Sequence, residues 1–223
     1  MEAEFHTFTL DNGIRVIHKE VPRAASHVSL VINAGSRDEI KGEGGVAHFI
    51  EHCLFKGTKK RKTYHILNRL ERVGGELNAY TTKEETWISA SFLERDLDRA
   101  VELISDIAFN STFPAKEIAK ERDVILDEIA SVMDNPSDVI FDEFEERLFG
   151  KHPLGRTILG TPESVKSLRK SDIQAFVKRN YSPGQMVFAS VGSTPIKKLK
   201  RICQKYLSAV SYTHLRAHET HEH

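Results

Sequence analysis

Between Val46 and Leu54, six residues are apolar (Val46, Ala47, Phe49, Ile50, Cys53 and Leu54) and the other three are His48, Glu51 and His52. On a helix turning about 100° per residue, the histidines lie about 40° apart, and Glu51 falls about 60° to the other side of His48. A helix apolar almost all round is a buried helix. Any fold open to this chain must therefore enclose the segment on most sides. It must also give one narrow polar arc a partner or a cavity, because a buried imidazole or carboxylate left unpaired is costly.

That arc has a chemical use. Histidines at i and i+4 can both reach one ion at about 2.0–2.1 Å, and the spacing H-x-x-E-H is a metallopeptidase signature. Glu51 lies off the histidine axis and is free to act as a base. The plain alternative is a pair of core histidines bonded to backbone. For a single histidine it is the better reading; two histidines and a glutamate on one arc favour a metal. Catalytic zinc usually takes three protein ligands, so a third donor is expected. On the long helix from Pro114, Glu117, Glu121 and Glu128 lie within about 40° of one another, while Asp123 and Asp127 point away. Their face borders an apolar stripe of Ile118, Ile125, Ile129 and Val132. A solvated acidic flank would look the same, and helical geometry does not choose among the three glutamates.

The remaining chain suits an α+β fold, a mainly antiparallel mixed sheet backed by helices. Asp11-Asn12-Gly13 marks a turn between strands at 5–10 and 14–21, followed by strands at 28–33, 76–82, 86–93 and 185–191. Helices are expected at 63–73, 96–110, 114–133, 136–149, 162–168, 171–180 and 195–207. Gly42-Glu43-Gly44-Gly45 precedes the His-Glu-His helix, but it lacks both G-x-G-x-x-G and G-K-[ST]. It therefore reads as a flexible lead-in and not as a phosphate loop.

Acidic and basic residues balance at 32 each in 223 residues. That balance gives no general attraction to nucleic acid or anionic membrane. Cys53 and Cys203 make no disulfide framework, which suits a reducing compartment. The N-terminal residues have neither the basic start nor the apolar run of a signal peptide, and no segment is long enough to span a bilayer. A cytoplasmic protein is the expectation.

His48-Phe49-Ile50-Glu51-His52, continuing as Cys53-Leu54-Phe55-Lys56-Gly57-Thr58, together with Glu121 and Glu128 seven apart, resembles the inverted-zincin peptidases. These are the relatives of pitrilysin, insulin-degrading enzyme and mitochondrial processing peptidase. The resemblance covers roughly residues 5 to 210. It implies one zinc ion held by His48, His52 and Glu128, Glu51 as base, and Glu121 supporting the site from behind. It further implies an extended peptide substrate added to the edge strand at Gly74–Thr81, with Asn78 and Ala79 as contact positions. His152, in His152-Pro153-Leu154-Gly155-Arg156, also matches a loop of these proteins, but it has no spacing partner and reads as structural.

The resemblance also implies a partner, since such domains go with a second, metal-free half or a homologous inactive subunit. On this reading residues 1–210 form the zinc-binding domain. Residues 211–223, beginning Ser211-Tyr212-Thr213-His214, resemble a translated sequencing adapter, so the four histidines of that tail are given no role. A zinc endopeptidase is the expected function. A non-catalytic partner subunit is the alternative, and a small-molecule metallohydrolase is a weaker third reading.

Overall fold

The computed structural model describes residues 5–208; the leader reading at residues 1–4, the boundary at Val210 and the tail at 211–223 lie outside the described residues. Six strands, β1 (Phe5–Thr9), β2 (Arg15–Glu20), β3 (Ala25–Ile32), β4 (Glu76–Thr81), β5 (Thr86–Leu93) and β6 (Met186–Gly192), form one sheet in the order β1-β2-β6-β3-β5-β4. Every neighbouring pair is antiparallel except β2 and β6. The sheet is therefore mixed and mainly antiparallel, as the sequence pattern predicts.

Local chemistry accounts for the elements. Gly13, at φ 97°, closes the β1–β2 turn, where Leu10 N donates to Ile14 O at 2.9 Å. Along β5, Thr86, Ile88, Ala90 and Phe92 are buried while the residues between them are half-exposed. One face of the sheet thus carries the core.

Helices back the sheet. They are α1 (Val46–Leu54), α2 (Thr63–Glu71), α3 (Leu97–Asn110), α4 (Ala115–Met133), α5 (Pro136–Phe149), α6 (Pro162–Ser167), α7 (Lys170–Asn180) and α8 (Ile196–Leu207). α1 buries Val46, Ala47, His48, Phe49, Ile50, Cys53 and Leu54, and packs against α4, α7 and β4. It is the enclosed helix its composition requires. Among the described residues, no helix is long and apolar enough to cross a membrane.

One expectation is corrected. The lead-in to α1 is not a loose glycine linker, because its carboxylates tie it down. Glu43 accepts from Ile40 N at 3.1 Å and pairs with Arg179 at 2.5 Å. Glu39 accepts from Gly45 N and Ala47 N, each at 3.0 Å. Gly45 itself sits at φ 84°, and a Cβ there would stand 2.5 Å from Leu159 O. This glycine allows a close approach of two backbones.

Candidate metal centre

α1 and α4 cross with their polar residues facing each other. His48 Nε2 lies 3.6 Å from Glu128 Oε2, and His52 Nε2 lies 3.4 Å from the same oxygen. The three groups each offer a ligand atom, all within 4.8 Å of one another. Two ligands at about 2.0–2.1 Å from one tetrahedral ion stand about 3.4 Å apart, so the observed spacing suits an ion of zinc's size. The donor set, two imidazoles and a carboxylate, is one that zinc takes.

A second carboxylate supports the ring behind this group. His52 Nδ1 lies 3.3 Å from Glu121 Oε2, while Glu121 Oε1 pairs with Lys56 at 2.8 Å. If Nδ1 carries the proton and donates it to Glu121, the Nε2 lone pair is left facing Glu128. Burial, aided by His52, pushes His48 down to about 4, so its ring is neutral and able to ligate over the ordinary pH range.

Glu51 stands beside the group, its carboxyl pushed above the usual range mainly by burial. With His52, Phe55, Lys56, Thr63, Leu67 and Glu121 it lines a cavity of about 220 Å³. Cys53, buried on the same helix, has its thiol pushed up to about 12, again by burial, and is no nucleophile.

The structure separates the three glutamates that helical geometry leaves equivalent. Glu128 reaches both histidines and Glu121 reaches one. Glu117, half-buried, instead pairs with Lys120 at 3.0 Å one turn along α4. Asp123 and Asp127 are exposed. His152 Nδ1 accepts from Leu154 N at 3.2 Å, capping a short turn, which is a structural role.

Asn78 and Ala79 lie on β4, the free edge of the sheet nearest α1. Thr82 N donates to Glu85 O at 2.8 Å, and the β4–β5 register is unbroken from Glu76↔Ser91 to Thr81↔Thr86. Alternation therefore ties the Asn78 main chain to β5 and turns that of Ala79 to the open side. The Asn78 amide bonds Glu76 Oε1 at 2.6 Å on the solvent face.

Three residues of this environment escape a reading of the sequence. Glu39 caps α1, and its place shortly before a helix start is a usable signal, since carboxylates favour helix N-termini. Thr81 and the buried Tyr181, whose hydroxyls are buried without a hydrogen-bond partner, carry no such signal.

A mixed sheet backed by helices, with H-x-x-E-H on one buried helix and a glutamate brought in from another, defines the class of inverted-zincin metallopeptidase domains. Residues 15–162 match the profile of the insulinase family, peptidase family M16, and residues 167–222 match the profile of the peptidase M16 inactive domain. The chain therefore belongs to the insulinase family.

A Mycobacterium leprae protein named as an uncharacterized zinc protease is 39% identical over 90% of this chain and 45% of its own length. The mitochondrial-processing peptidase subunit beta of Saccharomyces cerevisiae is 38% identical over 92% of this chain and 44% of its own. Among solved structures, a protease from Helicobacter pylori superposes with a TM-score of 0.92 at 26% identity, covering 98% of this chain and 53% of that one. The periplasmic protease PqqL of Escherichia coli gives 0.88 at 26% identity, over 100% of this chain and 26% of that one. The chain thus spans less than half the length of the two curated relatives. Their names place relatives in mitochondria and in the periplasm, so kinship does not support the cytoplasmic expectation.

Proposed function

We propose that this chain is the zinc-binding part of an endopeptidase acting on peptides or unfolded segments. The observation that carries the proposal is the convergence of His48 Nε2, His52 Nε2 and Glu128 Oε2 on one point beside Glu51. His48, His52 and Glu128 would hold the zinc, with Glu121 orienting His52. Zinc at this position supplies Lewis acidity, which lowers the pKa of water from about 15.7 to about 7 and polarises a carbonyl.

The chain's own groups supply the base and the peptide-binding edge. Glu51, its carboxyl raised mainly by burial, accepts the proton of the attacking water and delivers it to the leaving amine. The open main chain of Ala79 can pair with an extended peptide, with the Asn78 side chain alongside. Backbone pairing tolerates varied side chains, which fits substrates without a fixed sequence.

A non-catalytic partner subunit is the second reading. Against it, all three ligands and the base stand in one arrangement, and a chain relieved of catalysis has no need to keep them. The rest of the active site, in a C-terminal half or a homologous subunit, is part of the proposal.

Zinc content and cleavage of a quenched peptide, measured with and without a supplied C-terminal half, test the reading. Zinc bound at one per chain is expected, with cleavage at its greatest when the partner is present. Glu51→Gln should abolish cleavage and keep the zinc, whereas His52→Ala should lose the zinc itself. Cleavage by a pure Glu51→Gln sample would overturn the assignment of the base.

A further inference from the structure

The side chain of Lys56, just past the end of α1, reaches the acid behind the metal group. Its Nζ stands 2.8 Å from Glu121 Oε1, while Glu121 Oε2 stands 3.3 Å from His52 Nδ1. Each oxygen of that carboxylate thus has its own partner. Among the described residues, no other lysine or arginine pairs with Glu51, Glu121 or Glu128.

The backbone that carries Lys56 is fixed on both sides. Lys56 N donates to Cys53 O at 3.1 Å, and Thr112 N donates to Gly57 O at 3.0 Å. Thr58 Oγ1 donates to Asp106 Oδ2 at 2.8 Å. Gly57, at φ 143°, makes the sharp exit from α1 that a side chain would resist. The Lys56 side chain is only 26% exposed, so it is held against the protein and not spread into solvent.

We infer that Lys56 is a positioning residue for the His52 ring and acts through Glu121. This role rests on His52 being a zinc ligand. The terminal torsion of a glutamate is broad and roughly two-fold, so a carboxylate held at one oxygen can turn away from its partner. An ammonium at the second oxygen removes that freedom. The acceptor at Nδ1 is then fixed, and with it the direction of Nε2 toward the point shared with His48 and Glu128. Charge favours the same arrangement, because Glu121 is buried and a buried carboxylate without a counter-charge is costly. Lys56 borders the cavity of about 220 Å³, yet its ammonium is engaged with Glu121 and acts on the metal group.

Two simpler roles predict different results. A lysine that only complements the C-terminal end of α1 would stabilise the fold and leave metal affinity alone. An ammonium that acts only by its charge would oppose a nearby dication, so its removal would tighten zinc binding. A positioning role predicts weaker binding.

Lys56→Met keeps the stem and removes the ammonium, and Lys56→Arg keeps a charged donor. Competition with a chromogenic chelator, on samples shown to be folded by circular dichroism, reads the zinc affinity. Lys56→Met should weaken it by about 10-fold, and Lys56→Arg should restore most of the loss. The loss should disappear in a Glu121→Gln background. Unchanged or tighter zinc binding, or an equal loss in both backgrounds, overturns the inference.

The second measurement is urea unfolding of the metal-free chain. Lys56→Met and His52→Ala act on the same carboxylate, so their effects on stability should not add in the parent and should add in Glu121→Gln. Additive effects in the parent overturn the inference as well. A parent chain that binds no zinc would count against the proposed function, and the unfolding comparison would still decide whether Lys56 holds the carboxylate on which His52 rests.

Discussion

Glu121 is the residue whose part is easiest to isolate. The residue is 6% exposed, and its carboxylate stands between His52 Nδ1 and Lys56. Glu121→Gln keeps the shape and removes the charge that orients the imidazole. Zinc affinity should fall by about 10- to 100-fold, as read by competition with a chromogenic chelator. At this scale the sequence was informative where spacing alone carries the chemistry. His48, Glu51 and His52 were legible because one helical turn holds them together. Glu128 could not be separated from Glu117 and Glu121 by angle on α4; the family resemblance chose it, and the packing of α4 on α1 brings it within 3.6 Å of both histidines.

At the scale of elements, the placement of α1 depends on Glu39. Its carboxylate accepts two amides at the start of that helix, and Arg156 Nη1 donates to its main-chain oxygen at 2.7 Å. Glu39→Ala leaves two buried N–H groups without an acceptor and should destabilise the chain by about 1–3 kcal/mol in urea unfolding. A pH dependence accompanies it. Burial outweighs the two backbone bonds and raises Glu39 from 4.5 to about 8. A group raised on folding contributes fully below pH 4.5, and its contribution is lost as pH rises through about 8. Glu39→Gln should flatten the decline in stability across that window.

The order of elements along the chain was readable from turns, caps and periodicity. The tightness of the Gly42–Gly45 segment was not, because Glu39, Leu159 and Arg179 come from different stretches of the chain.

For the whole molecule, a metal joining α1 to α4 should stabilise the fold by mass action. Zinc at 100 times its dissociation constant adds about 2.7 kcal/mol. The melting temperature of the parent chain should rise on adding zinc and fall with a chelator, and His52→Ala should abolish the response. The surface also shows what periodicity misjudges. α5 spaces Ile140, Phe141, Phe144 and Leu148 like a core-facing helix, yet all four are more than half exposed.

By itself the sequence determined the buried His-Glu-His helix, the mixed α+β pattern and the chemistry its residue types permit, because each follows from neighbours within a few positions. Only the tertiary structure decided which glutamate meets both histidines and which carboxylate anchors α1. Those contacts join groups 76 to 80 residues apart or 6 to 8 residues apart across a turn, and packing of the elements alone sets their distances.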